Sequence, residues 1–354
     1  MQEFCSDVCK RLQSAPSAPS FGGRVSITIK DVAREANVSV ATVSRALNGH
    51  ENVAPDVRQR VLEVADRLQY SPHHAARSLS SRRTQTIGVV LPDLYGEFFS
   101  ELMRGIDAVA REAGRHLLVS SYHGNPDEQG AALRAMRGRV DGLLLMSPFV
   151  ADADPLAGQA LGMPAVLLNS GARAGLPALN VDSYHGARTM TRHLLSAGHS
   201  RIAFIAGPTD NFDAHERLRG YRDGLADSGS APWVLPGDFD EASGHAAGRK
   251  LLESGERPDA VFAANDMMAL GCLFAFNQAG VRVPHEIALA GFDDIPLARY
   301  VHPGLTTMRV DIAALGARAL RTLMAQLADP DTPVAAERLE VALVVRQSCG
   351  VAPV

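Results

Sequence analysis

Side chains suited to binding a small ligand end several apolar runs beyond residue 85 of this 354-residue sequence. Carboxylates and amides bind hydroxyl groups, an arginine binds ring or hydroxyl oxygens, and aromatic rings cover the apolar face of a ring. This mixture predicts a site for a sugar, or for a similarly polyhydroxylated or heterocyclic compound. The candidate residues are Phe98, Phe99, Arg217, Phe239, Asn265, Asp266, Asp293 and Asp294.

Each of these residues also has a purely structural interpretation. An aspartate at the end of a strand often caps the following helix. Asp266 precedes the helical pattern MMALGCL, so we interpret it as an N-cap, whereas for Asp294 both interpretations remain open. Phenylalanine is more often a core residue than a ligand contact.

The elements that would position these side chains alternate between strand-like and helical patterns. Runs such as TIGVVLPD, VDGLLLMS and RIAFIAGP are continuously apolar, which is typical of parallel strands buried on both faces. Alternating strands and helices predict doubly wound α/β sheets, in which ligands bind at the carboxyl ends of the strands. The length predicts two lobes, the first over 86–184 and 311–338 and the second over 185–310 and 339–354.

An enzymatic function is not indicated. The sequence lacks G-x-G-x-x-G, G-x-S-x-G, G-x-x-x-x-G-K-[ST] and H-E-x-x-H. Its four cysteines, Cys5, Cys9, Cys272 and Cys349, do not form a set with zinc-ligand spacing. We therefore predict no catalytic residue, no metal site and no cofactor.

A small helical unit precedes the α/β body, over 26–70. In TIKDVAREANVSVATVSRALNG, Thr28 and Asp31 fit a capping box, Asn37-Val38 breaks the first helix, and Ser39 caps a second. A third helix begins near Pro55. Three short helices with small apolar faces predict a helix-turn-helix unit, whose second helix enters the major groove of DNA.

The second helix offers side chains for reading DNA. Arg45 has the geometry for bidentate contact with guanine, and Val40 and Ala41 can meet thymine methyl groups. Hydroxyl and amide side chains bind phosphates, which position the protein without specifying a sequence. The residues predicted to do so are Thr28, Ser39, Thr42, Ser44 and Asn48.

The charge distribution supports a nucleic-acid partner for this unit alone. Ten basic and six acidic residues lie from Arg24 to Arg83, an excess of +4 in a chain whose net charge is −4. A local positive charge is the electrostatic signature of phosphate binding. The first 25 residues, rich in Ser, Ala, Pro and Gly, are predicted to be a disordered tail without a secretory signal, and no apolar run is long enough to cross a membrane.

The segment 71–85 is predicted to be a linker with a short hinge helix. Ser71-Pro72 is a helix start, but a helix this short is marginal in water unless something docks it. Leu79 is either a linker residue packed on the core or a wedge between base steps of the minor groove, with Arg77 contacting the backbone.

These motifs together resemble the LacI/GalR family of bacterial transcription regulators. The resemblance is carried by TIKDVAREANVSVATVSRALNG, by VAPDVRQRVLEVADRLQYSPHHAARSL and by TIGVVLPD, and it extends from Ile27 to about Val351. It implies a helix-turn-helix headpiece with a hinge helix, followed by a two-lobed core like that of periplasmic binding proteins.

The resemblance also implies roles for individual residues. The base-reading positions fall on Val40, Ala41 and Arg45, and the minor-groove leucine falls on Leu79. Val and Ala stand where the lactose repressor type has larger polar residues, so its operator sequence does not carry over. The implied effector-binding residues are Phe98, Phe99, Arg217, Phe239, Asn265 and Asp293.

The resulting expectation is a cytoplasmic, homodimeric repressor without membrane attachment. It would bind a near-palindromic operator and respond to a small-molecule effector. The Asn265/Asp293 pair favours a sugar, while Phe98 and Phe99 resemble the aromatics that flank purines in one branch of the family. A purine-type corepressor and a transcriptional activator therefore stay open as alternatives.

Overall fold

The computed structural model describes residues 27–47, 52–70, 83–149, 162–171, 176–333 and 336–351. The chain divides into two compact units, Met1–Arg82 and Arg83–Val354. No helix within the described residues is long and apolar enough to span a membrane.

The described residues of the first unit form a bundle of three helices. Its core consists of small and branched apolar side chains, among them Val32, Val43 and Val61, each fully buried. The left-handed backbone of Asn37 (φ +52°) makes the tight turn between the first two helices, a conformation that asparagine tolerates. The helices are α1 (Ile29–Glu35), α2 (Val40–Leu47) and α3 (Pro55–Arg67).

The second unit contains two six-stranded sheets. The first sheet is entirely parallel, in the order β11-β5-β4-β3-β1-β2. Its strands are β1 (Thr86–Leu91), β2 (His116–Ser121), β3 (Gly142–Met146), β4 (Ala165–Leu168), β5 (Ala178–Val181) and β11 (Ala336–Leu339). The helices of this lobe are α4 (Glu97–Glu112), α5 (Pro126–Met136) and α10 (Ile312–Ala328).

The second sheet has the order β12-β10-β9-β8-β6-β7, and only the β10–β12 pair is antiparallel. Its strands are β6 (Ile202–Ile205), β7 (Trp233–Leu235), β8 (Ala260–Ala263), β9 (Ala288–Asp293), β10 (Thr306–Arg309) and β12 (Ala342–Val344). Its helices are α6 (Ser183–Ser196), α7 (Phe212–Leu225), α8 (Glu241–Glu253) and α9 (Asp266–Gln278).

The predicted fold class is confirmed for these two units. The central strands β3, β4, β6 and β8 are buried along their whole length, as their apolar runs predicted, while the edge strands β2 and β11 are partly exposed. The chain crosses between the lobes after β5, after β10 and after β11. The predicted lobe boundaries differ by one or two residues from the elements, since α6 begins at Ser183 and β11 ends at Leu339.

One carboxylate holds the chain where the core begins. The Asp141 carboxylate accepts hydrogen bonds from the backbone N–H groups of Thr84 (2.5 Å) and Gln85 (3.0 Å), and it pairs with Arg115 at 2.9 Å. These bonds attach residues 84 and 85 to the first sheet. The predicted linker, which ran to residue 85, therefore overlaps the core unit at its last residues.

Glycines allow α4 and α10 to approach closely. A Cβ on Gly105 of α4 would overlap the carbonyl oxygen of Ala313, and a Cβ on Gly316 of α10 would overlap that of Leu102. Since both obstacles are backbone atoms, no side-chain rotation relieves the clash. The helix pair of the first lobe thus depends on the absence of side chains at two positions.

We expect Gly105→Ala to destabilise the core by about 3 kcal/mol, at the upper end of the cost of overpacking. Gly130→Ala is the matched control, because Gly130 lies in α5 and a Cβ there meets only the flexible end of Arg134. Alanine is the better helix former, so this control should stabilise by about 0.5–1 kcal/mol. Urea unfolding of both variants gives the comparison, and equal effects would refute the close-approach role of Gly105.

Candidate nucleic-acid interface and ligand cleft

The start of α2 presents an exposed surface. Val40 is 41% exposed, and Ala41 and Arg45 are also exposed, while Val43 and Ala46 of the same helix are buried in the bundle. The Arg45 Nε donates to the carbonyl of Ala41 at 3.2 Å, which keeps the guanidinium along the helix surface. The predicted base-reading residues therefore share one solvent-facing side of α2.

Several predicted phosphate-binding residues have capping roles. The N–H and hydroxyl of Thr28 both donate to Asp31, at 3.0 and 2.7 Å, as the capping-box pattern predicted. The Ser39 hydroxyl accepts from the N–H of Thr42 at 3.1 Å and lies 2.8 Å from the Thr42 hydroxyl. Ser44 is half-buried on α2. The predicted contacts Asn48, Arg77 and Leu79, and with them the predicted hinge helix, lie outside the described residues.

All six predicted effector-binding residues line one cleft between the two lobes of the core. The cleft has a volume of about 540 Å³. The six predicted lining residues come from five segments, which the parallel topology brings to the facing edges of the two sheets. They are Phe98, Phe99, Arg217, Phe239, Asn265 and Asp293.

The Arg217 guanidinium is the centre of the polar floor. It is 4% exposed and donates to the Asp293 carboxylate at 3.0 Å, to the Ala264 carbonyl at 2.6 Å and to the Ser183 hydroxyl at 3.3 Å. The ring of Phe292 lies 3.9 Å from the guanidinium carbon. A buried charge requires such partners, and they fix the arginine in one orientation.

Asp293 is held in a strained and electrostatically costly position. Burial raises the pKa of its carboxyl to about 6, although Arg217 acts in the opposite direction. The backbone φ of Asp293 is +111°, and that of Phe239, which also lines the cleft, is +64°. Such conformations cost about 1–3 kcal/mol each and concentrate at functional sites.

Asn265 supports the cleft and the helix behind it. Its side-chain oxygen accepts from the Met268 N–H at 3.0 Å and so caps α9, while its Nδ2 donates to the Phe239 carbonyl at 2.8 Å. One amide hydrogen remains for a ligand. The interpretation of Asp266 as the cap is therefore wrong, because the cap lies one residue earlier.

Comparison with known proteins accounts for this pairing of headpiece and cleft. Residues 28–73 match the model of the bacterial regulatory proteins of the lacI family, and residues 191–349 match a periplasmic binding protein-like domain. The chain is 36% identical over 305 residues to catabolite control protein A of Priestia megaterium, covering 84% of this chain and 92% of that protein. It belongs to the LacI family.

Two further similarities extend over most of the chain. It is 38% identical over 308 residues to the transcriptional regulator GalR of Escherichia coli K12, covering 85% of this chain and 89% of that protein. A solved structure of the lac repressor dimer, bound to operator and an anti-inducer, superposes with a TM-score of 0.82 at 29% identity, over 91% of this chain and 99% of that one. The predicted family and fold are confirmed, and the family consists of DNA-binding regulators.

The cleft of this LacI-family regulator also contains residues that the sequence did not single out. Asp210 and Asp213 follow β6, and Phe149 follows β3, so the same strand-end rule would have found them. Tyr95 follows β1, and its hydroxyl donates across the cleft to the Glu241 carboxylate at 3.1 Å.

Asp294, for which two interpretations were open, is structural. Its carboxylate binds Arg309 at 2.7 Å and Arg346 at 2.6 Å. It does not line the cleft described above. Two consecutive aspartates of this regulator therefore serve different purposes, Asp293 facing the ligand space and Asp294 tying β9 to the closing segment of the lobe.

Asp266 is a buried carboxyl that forms no ion pair with any basic residue in the described part of the chain. It accepts from the Thr307 hydroxyl at 2.6 Å and the Ile295 N–H at 3.0 Å. Burial and the nearby Asp293 raise its pKa well above the ordinary value. The folded state then holds a proton that the unfolded state has released, so the free energy of unfolding falls as pH rises from about 4 through the raised pKa.

Asp266→Asn should remove this cost, because the amide does not ionise. Its oxygen can accept from Ile295, and its NH₂ can donate to the Thr307 hydroxyl. We expect the melting temperature at pH 8 to rise by about 2 °C or more over that of the wild type, with the gain shrinking towards pH 4. Thermal melts across this range test the prediction, and a gain independent of pH would contradict it.

Proposed function

We propose that this protein is a homodimeric, cytoplasmic repressor that is released from its operator, or retained on it, by a hydroxyl-rich small molecule bound in the cleft. The observation that carries the proposal is the convergence of Arg217, Asn265, Asp293 and the aromatic residues on one cleft in a chain that also carries a helix-turn-helix unit. We propose no catalytic role for it.

Sequence reading is assigned to α2. Arg45 provides bidentate hydrogen bonding to guanine, and Val40 and Ala41 provide apolar contact with thymine methyl groups. Two such helices, related by the two-fold axis of a dimer, would read half-sites about one helical turn apart, so the operator would be near-palindromic. Because the target is chromosomal DNA, we propose that the protein acts in the cytoplasm.

Exposed apolar side chains support dimerisation of the core. Phe274 is 57% exposed and Tyr300 is 76% exposed, which is high for large aromatic residues. The similarity to a lac repressor dimer supports the same arrangement here.

A sugar is the effector class that the polar floor favours. The Asp293 carboxylate and Asn265 amide suit hydroxyl groups, and Phe98 and Phe99, whose centroids lie 5.5 Å apart edge to face, suit the apolar face of a ring. The effector would act by binding one arrangement of the two lobes more tightly than another, which changes operator affinity by the same coupling free energy.

Selection of genomic DNA fragments by the purified full-length protein tests the proposal. At a fixed salt concentration we expect enrichment of one near-palindromic site. The same selection with pooled sugars, nucleosides and their derivatives should change the yield of that site. Enrichment of no site under either condition would refute the regulatory function, and expression from the selected promoter in a deletion strain distinguishes a repressor from an activator.

A further inference from the structure

The cleft has a strongly acidic lining. Six aspartates contribute to it: Asp93, Asp210, Asp213, Asp238, Asp240 and Asp293. Among the described residues, the basic members of the lining are Arg217 and His123. A ligand entering the cleft therefore meets an excess of negative charge from both lobes.

The positive charge of Arg217 is already neutralised. Its guanidinium is 4% exposed and pairs with Asp293 at 3.0 Å. Three of its five N–H donors are bound to Asp293, Ser183 and Ala264. Asp213, which accepts the Ser183 hydroxyl at 2.9 Å, adds a second carboxyl beside it. Within the described part of the cleft, an anionic ligand would therefore have to compete with Asp293 for the only arginine of the lining.

Three carboxylates that line the second-lobe side of the cleft form no ion pair with a described basic residue. None of the ion pairs among the described residues involves Asp210, Asp238 or Asp240. Partial burial, together with Asp240 and Asp210, raises the pKa of Asp238, so these three groups repel one another. A positive charge placed among them would relieve that repulsion.

Aromatic rings line the cleft beside these carboxylates. Phe98, Phe99, Phe149, Phe239 and Tyr95 line the cleft together with the aspartates. The face of an aromatic ring carries negative charge density and attracts an ammonium group, and it also covers the apolar face of a sugar. The aromatic part of the lining is therefore compatible with both parts of a ligand that combines a sugar ring with an ammonium group, and the charge preference itself rests on the carboxylates.

We propose that the cleft selects a hydroxyl-rich ligand that carries an ammonium group, such as an amino sugar, and rejects phosphorylated or carboxylated sugars. The inference rests on the proposed function, since it specifies the effector of the same cleft. The ring hydroxyls bind Asp293 and Asn265, and the ammonium group lies towards Asp210 and Asp238.

Binding calorimetry with the full-length protein tests this preference, using probes that share one sugar ring and differ in charge. The probes are neutral aldohexoses and disaccharides, their 2-amino counterparts and their 6-phosphates, measured at low and high salt. We expect an amino sugar to bind at least about tenfold more tightly than its neutral parent, with the advantage shrinking at high salt, and the phosphate to show no binding. Equal binding of amine and parent, or tighter binding of the phosphate, would overturn the inference.

These outcomes are separable from failure of the proposed function. A neutral or phosphorylated sugar that binds at least as tightly as its amino counterpart and changes operator affinity overturns only the charge preference. If no probe in the panel binds, the preference for an amino sugar is refuted, whereas the DNA selection with pooled ligands still decides the proposed function. A probe that binds without changing operator affinity refutes the effector role and leaves the charge preference intact.

Two variants test whether Asp210 and Asp238 cause the preference for an amino sugar. In Asp210→Asn/Asp238→Asn the ratio of amino-sugar to parent affinity should fall towards 1, because the asparagines keep the shape and remove the charge. Glu253→Gln is the control, since it removes a carboxylate that pairs with Arg249 on the exposed side of α8. The control should keep the wild-type ratio, and an equal fall in both proteins would assign the effect to net charge instead.

Discussion

Asp293→Asn should lower effector affinity by about 10- to 100-fold and leave operator binding without effector unchanged. The estimate corresponds to the roughly 1.5–3 kcal/mol of a hydrogen bond to a charged group. Asparagine keeps the size of the side chain and can still accept from Arg217, so the fold should survive. Alanine would instead leave Arg217 as a buried charge without its partner, and the variant would lose about 3–5 kcal/mol of stability.

The pH dependence of effector binding shows whether Asp293 contacts the effector directly or only holds Arg217 in place. In the wild type, effector affinity should fall as pH drops below about 6, the pKa of Asp293, because the protonated carboxyl is a weaker acceptor. Asp213 also has a pKa raised by burial and faces the same arginine. The part of the dependence with a midpoint near 6 should disappear in Asp293→Asn, while any contribution from Asp213 persists.

Asp294→Asn provides the contrast one residue away. Because Asp294 binds Arg309 and Arg346 rather than lining the cleft, its replacement should lower the melting temperature and keep effector affinity. Titration with the effector found in the selection experiment gives the effector affinity of each variant, and a separate titration with operator DNA gives its operator affinity. Thermal melts give the melting temperatures. A full effector response in Asp293→Asn would remove Asp293 from the binding site.

The strand-end rule explains why much of the cleft was predictable. A continuous apolar run fixes a buried parallel strand, and the polar residue that follows it must lie at the carboxyl edge of the sheet. Asn265 and Asp293 were found in this way, whereas Arg217 lies within α7, the helix that follows β6. What the rule does not give is the backbone conformation, so the helix cap predicted at Asp266 lies one residue earlier, at Asn265.

Other features depend on partners that are distant in sequence. Gly105 lies next to Ala313 because two helices from opposite ends of the lobe cross there. Likewise, the structural role of Asp294 comes from its ion pairs with Arg309 and Arg346, which β10 and the closing segment bring to it. Local patterns contain no information about these pairings, so the number of acidic groups facing the ligand also emerged only from the fold.

Arg45→Ala should reduce affinity for the selected operator by at least about tenfold and affect non-specific DNA much less. A bidentate arginine–guanine contact is worth about 1–3 kcal/mol of discrimination. Arg45 has the exposure this requires, since it lies with Val40 and Ala41 on the solvent-facing side of α2. Loss of a base contact should also relax the sequence preference at one position of each half-site.

Arg34→Ala separates this effect from simple loss of charge. Arg34 is an exposed arginine of α1 that pairs with Asp31 at 2.7 Å, so its removal changes the headpiece charge by the same amount. Fluorescence anisotropy with operator and scrambled duplexes, over a range of salt, compares the two variants. A phosphate contact lowers the salt dependence of binding and weakens all sequences alike, whereas a base contact leaves the salt dependence unchanged. If Arg45→Ala weakens both duplexes equally, Arg45 is a phosphate contact, and sequence reading by α2 falls to Val40 and Ala41 alone.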